Sequence, residues 1–134
     1  MRRRIVQAVF GLMFCTTCVL AADISGIWVG QQQGRRGEPE DLAFRFKLDG
    51  QFLTGKMFGD EFDLPIAEAS LAGDQIRFTV TTTNYYSGTK VKFTYTGTIK
   101  GAEMELIRER VQTDEDRTFN RPPARQILKL RRVK

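Results

Sequence analysis

Beyond residue 22 the chain alternates apolar and polar positions with period two. Leu42, Phe44, Phe46 and Leu48 alternate with Ala43, Arg45 and Lys47. Ile76, Phe78 and Val80 alternate with Arg77, Thr79 and Thr81, and Val91, Phe93, Tyr95, Gly97 and Ile99 alternate with Lys92, Thr94, Thr96 and Thr98. This is the strand period, with one apolar face and one charged or Thr-rich face, as in an antiparallel sheet wetted on one side. No helical stripe competes with it; Ala67 to Ala72 is long enough for a single turn at most. Turn chemistry divides the pattern. Asp49-Gly50, Gly59-Asp60, Gly73-Asp74 and Gly101-Ala102 mark tight reversals, and 34–41, 84–88 and 112–124 are longer connections. The pattern predicts eight strands at about 24–33, 41–48, 51–58, 61–72, 75–83, 89–100, 103–111 and 125–133. In the fourth, Phe62, Leu64 and Ile66 share one parity while Ala69 and Leu71 share the other, and Pro65 lies inside it. That phase slip predicts a β-bulge near Ala67 and Glu68.

In an up-and-down array, successive connections alternate between ends. The 34–40 loop, the Gly59 turn, the 84–88 loop and the 112–124 loop then share one end. Gly50, Gly73 and Gly101, all tight, share the other. The expected fold is therefore all-β: an eight-stranded antiparallel up-and-down barrel with a bulged fourth strand, an open mouth and a pinched base. Eight strands leave an interior filled by side chains, or just able to hold one small ligand.

The first residues follow another rule. Arg2, Arg3 and Arg4 precede an almost uncharged stretch from Ile5 to Ala22, and Val19-Leu20-Ala21 ends it with small residues. A basic start, a short apolar core and a small-residue end predict a cleaved signal peptide, residues 1–21. The apolar stretch is shorter than the roughly 20 residues that span a bilayer, and Phe14 before Cys15 and Thr17 before Cys18 do not suit lipidation. Removing residues 1–21 takes three of the 21 basic residues and none of the 16 acidic ones, so the net charge falls from +5 to +2. It also removes both cysteines, Cys15 and Cys18. The expectation is a secreted or periplasmic protein, residues 22–134 forming one domain with no membrane attachment after cleavage.

Composition then narrows the chemistry. The chain has no His, which excludes imidazole general-base catalysis and His-based metal sites. The domain has no Cys for disulfides, thiol chemistry or zinc. No cofactor or metal is expected. Nucleic-acid binding needs a concentrated basic face, and the nearly balanced domain offers none. Asp60, Glu61 and Asp63 could supply a carboxylate pair for hydrolysis, but they occupy a turn and an outward strand face.

The most informative short motif is Ser25-Gly26-Ile27-Trp28, opening the first strand. It resembles the Gly-x-Trp of the lipocalin and wider calycin group. In that group a basic residue near the end of the last strand packs over the indole. Alternation independently turns Leu128, Leu130 and Arg132 inward at the base, so Trp28 and Arg132 are expected to meet as a structural base plug. The blander alternative is a chance pattern with Trp28 as an ordinary core residue. The chain also resembles a recurring small secreted bacterial domain beginning Ser-Gly-x-Trp-x-Gly. Trp28-Val29-Gly30, Leu53-Thr54-Gly55, Gly73-Asp74-Gln75-Ile76-Arg77-Phe78 and Leu130-Arg131-Arg132 carry that likeness, which implies no known activity. The chain is shorter than typical lipocalins and has neither a disulfide nor a flanking helix.

The mouth is the default place for a ligand. Met104 and Leu106 point inward, and the same parity carries Arg108 and Arg110 inward, with Gln32, Glu40, Thr82 and Gln126 at the same level. An inward Arg at a rim can clamp a carboxylate, phosphate or sulfate. Two alternatives remain: Glu40 neutralises Arg108, or a bulge after Leu106 turns Ile107, Glu109 and Val111 inward instead. Tyr85 and Tyr86 in the 84–88 loop could stack on a sugar or peptide, or simply plug the mouth. Arg35-Arg36 forms a basic loop tip, and Phe119 in the 112–124 flap could close the mouth. The leading expectation is a non-enzymatic binding module that takes a small or anionic ligand through Arg108, Arg110, Tyr85, Tyr86 and Gln32. The alternatives are a structural or protein-interaction domain with a filled interior and, more remotely, a carboxylate-based hydrolase. Partners are thus a small molecule or a protein of unspecified identity.

Overall fold

The computed structural model describes residues 23–34, 37–60, 62–83, 86–113, 117–119 and 125–133. The predicted signal peptide and Arg35, Arg36, Glu61 and Tyr85 lie outside them. Nine antiparallel strands make one sheet: β1 (Gly26–Gln33), β2 (Pro39–Asp49), β3 (Phe52–Phe58), β4 (Asp63–Pro65), β5 (Ala67–Ala72), β6 (Gln75–Thr83), β7 (Lys90–Lys100), β8 (Glu103–Arg110) and β9 (Arg125–Val133). Their order is β4-β3-β2-β1-β9-β8-β7-β6-β5. Since β4 and β5 follow each other directly in the chain, the two edges meet and the sheet rolls into a nearly closed up-and-down barrel.

The expected eight strands become nine because the fourth divides. Its first part pairs with β3, with Met57 opposite Leu64 and Lys56 opposite Pro65, and the Ile66 N–H still reaches the Gly55 carbonyl at 3.0 Å. The register then slips between Ala67 and Ser70, and the second part pairs with β6. Glu68 takes φ of 50° at this point, a conformation that costs a side-chain-bearing residue energy. Because Ile66 directs its N–H at β3, the Pro65 nitrogen faces the seam, where no ladder needs a donor. Thr79, 4 % exposed, covers the slip by donating its hydroxyl to the Ala67 carbonyl. Lys92 reaches over from β7 to the Glu68 carboxylate at 2.8 Å.

Three two-residue hairpins close the base. Gly50, Gly73 and Gly101 each take the first turn position with φ of 61°, 62° and 60°, the left-handed conformation such turns require and glycine supplies without a Cβ clash. The C-terminal ends of β1, β3, β6 and β8, where the other connections depart, lie at the other end.

The inward faces fill the interior. Phe44 stacks on Phe46 with centroids 5.6 Å apart, Phe78 stacks on Tyr95 at 4.9 Å, and the two pairs meet edge to face. Trp28, Leu106 and Leu128 are fully buried around them. The inward glycines are used for close approach. A Cβ on Gly55 would lie 2.1 Å from the Arg45 carbonyl oxygen, on Gly97 2.3 Å from that of Glu105, and on Gly30 2.6 Å from that of Lys129. These glycines lie opposite Phe46, Leu106 and Leu130. Small residues facing large ones let the strands bend tightly around a packed core.

Candidate functional site

At the base, antiparallel pairing brings Trp28 opposite Arg132. The indole is fully buried and donates its Nε1–H to the Ile24 carbonyl at 3.0 Å. The Arg132 guanidinium lies 4.8 Å from the indole ring, donates through Nη2 to the Asp23 carbonyl, and its backbone N–H bonds Ala102 at 2.8 Å. Gly26, at φ of 133°, supplies the bend that leads the chain into β1. Asp23 accepts a hydrogen bond from the Ser25 backbone N–H, and this holds its carboxyl below the usual carboxylate range. The Gly-x-Trp spacing thus places one glycine at the bend and one ring under a cation.

At the mouth, β8 keeps continuous register with β9: Leu106 faces Leu128, Ile107 faces Ile127 and Arg108 faces Gln126. There is no bulge after Leu106, so Arg108 and Arg110 keep the inward parity. Arg108 donates through Nη1 to Gln32 Oε1 at 2.7 Å, and Gln32 donates onward to Glu40 at 3.3 Å. Glu40 therefore meets Arg108 through Gln32. The guanidinium also lies 4.6 Å from the Phe93 ring. Beneath it the Tyr95 hydroxyl approaches the Met57 sulfur at 3.4 Å. Burial pushes the Tyr95 phenol up to about 12, with the nearby Arg108 charge pulling the other way.

The sequence-named residues gather unevenly. Gln32, Glu40 and Arg108 form one connected layer. Arg110 is half-buried one step nearer the rim, facing Phe93 across the ladder. Tyr86 is 86 % exposed and Phe119 62 % exposed, so neither ring seals the mouth. Asp63 pairs with Lys56 at 3.1 Å on the outside, and Asp60 is exposed. Parity turns Phe93 and Tyr95 inward but does not by itself bring them to Arg108. What parity lacks is register: only the pairing of Tyr95 with Arg108 across β7 and β8 puts them together. A recess does occur in the molecule, but on the outer wall, bounded by residues such as Gln31, Thr98, Glu105, Ile107 and Lys129.

The fold is thus an all-β, nearly closed antiparallel barrel, compatible with the lipocalin-like class. Comparison of the chain with protein-family models, with curated proteins and with solved structures finds no match.

Proposed function

We propose that this chain is an exported, non-catalytic barrel domain that works through its outer surface, its interior being a solid core. One observation carries the reading: Phe44, Phe46, Phe78 and Tyr95 occupy the barrel axis at 0–2 % exposure with rings 4.9–5.7 Å apart. A carrier of apolar ligands needs that volume empty. The inward glycines Gly30, Gly55 and Gly97 open no space either, because neighbouring backbone lies against each of them. The test is a ligand screen read by Trp28 fluorescence and melting temperature with fatty acids, sterols and aromatic compounds. No saturable response is expected; a ligand that shifts both signals overturns the filled-core reading. N-terminal sequencing of the protein from its host tests export, with Ala22 as the expected first residue.

A second reading keeps a small anion at the rim. It is supported by the Arg108 guanidinium, which Gln32 and Phe93 hold in place before any ligand arrives. A carboxylate or phosphate would share Arg108 with Gln32, with Arg110 and Tyr86 nearer the opening. Titration with carboxylates and phosphates checks it. A saturable thermal shift lost in Arg108→Ala supports this reading, and a silent wild type removes it.

A further inference from the structure

The outer wall of β8 and β9 carries a pattern that the core does not need. In register, Glu103 faces Arg131, Glu105 faces Lys129, Ile107 faces Ile127 and Glu109 faces Arg125. All six charged residues are exposed, and Ile127 is 60 % exposed. One strand is thus acidic and its neighbour basic, with an isoleucine pair between the charged rows. Residues opposite each other across strands are close enough to pair. Yet among the described residues the ion pairs within 4.0 Å are Lys56–Asp63 and Lys92–Glu68, and none of the six charges joins a hydrogen bond.

We propose that this wall is the contact surface for a second copy of the chain. The two copies face each other across a two-fold axis that runs parallel to the strands between β8 and β9. That axis places β8 of one copy over β9 of the other while preserving each row. Glu103 then meets Arg131 of the second copy, Glu105 meets Lys129, Glu109 meets Arg125, and Ile107 meets Ile127. Every contact occurs twice, as an isologous interface requires. No row sets like charges against each other. The flanking strands are compatible too, because the same operation lays β1 over β7 and brings neutral Gln31 to the level of Thr98. An unrelated partner would need its own matching ladder, whereas a second copy already has one.

Six residues of rise at about 3.4 Å and four strands at about 4.8 Å give roughly 400 Å² per copy, about half of what each partner gives to a standard specific interface. The dimer is therefore weak, reversible and salt-sensitive. The inference builds on the reading of the chain as a surface-acting domain, and the two fail separately. An interior ligand overturns that reading without touching the dimer, and a monomer overturns the dimer without emptying the core.

Sedimentation of the protein as its host produces it is the test, at several concentrations and at low and high salt. Wild type should show a concentration-dependent dimer that weakens about tenfold as salt rises to a level that screens contacts beyond a few ångströms. Glu105→Lys and Lys129→Glu, each alone, should weaken it a further tenfold or more, since each sets two like-charged contacts across the axis. An equimolar mixture of the two variants should recover association, because their charges are again complementary. If either variant loses its β-sheet circular dichroism, the pair Glu103→Lys and Arg131→Glu replaces it. Wild-type protein that stays monomeric, or a dimer that ignores the swaps, or a mixture that fails to recover, overturns the proposal.

Discussion

Trp28 is the residue on which the base depends. Its indole is fully buried, hydrogen-bonded to Ile24 and covered by Arg132. Trp28→Ala should cost about 3–5 kcal/mol, the usual range for a large buried aromatic, measured by chemical denaturation. Arg132→Ala should cost less, about 0.5–2 kcal/mol for a cation over an aromatic face. Near-neutral stability of Trp28→Ala would remove the base plug. Tyr95 gives a pH signature. Its phenol ionises near 10 in the unfolded chain and at about 12 in the folded one. The native state therefore keeps a proton that the unfolded state has lost. The contribution is intact below pH 10, and stability falls as pH rises from about 10 to 12, by about 3 kcal/mol for a shift of that size. In Tyr95→Phe this part of the alkaline loss should vanish; identical alkaline melting curves for the two proteins would contradict the assignment.

At the scale of elements, the most revealing segment is the divided strand. Pro65 and the parity slip after Ile66 announce an irregularity, and the structure puts Glu68 there at φ of 50°. A β-branched residue tolerates that conformation poorly, while glycine adopts it freely. Glu68→Val should therefore be about 1–3 kcal/mol less stable than Glu68→Gly, even though both lose the exposed pair with Lys92, which contributes little. Equal stabilities would mean the bulge relaxes around any side chain. This segment also shows where sequence reading stops. Alternation in β2, β6 and β7 reveals which residues point inward, because parity is a property of one strand. The bulge was legible for the same reason. That the strand changes partners from β3 to β6, and so counts as two, was not, because pairing is a property of two strands. The aromatic side of the mouth cluster and the β8–β9 charge ladder lay beyond the sequence on the same ground: Phe93 beside Arg108, and Glu105 beside Lys129, are neighbours only through register. The Trp28–Arg132 meeting is the exception, since strand ends at a shared base fix it without knowledge of the ladder.

At the scale of the whole molecule, the question is whether a nearly closed barrel of this size encloses space or matter. Four rings in mutual contact on the axis, with Trp28, Leu106 and Leu128 around them, make it matter. Solidity has a consequence that can be measured. Phe78 touches Phe44, Phe46 and Tyr95, so removing its ring cannot be absorbed by one neighbour turning. The barrel wall is held by ladders interrupted at the β4–β5 seam and the slip in β5–β6, and these ladders resist an inward collapse by a ring's width. Phe78→Ala should thus cost about 3–5 kcal/mol and leave an enclosed apolar void of the kind that stays dry and binds a small aromatic molecule. Benzene should raise the melting temperature of Phe78→Ala in a saturable way and leave wild type unchanged. The contrast matters more than either result alone. A wild-type protein that binds benzene equally well would show that the interior already holds usable space, and the surface-acting reading would give way to a carrier. A variant that gains no binding would show a softer wall, able to close over the missing ring.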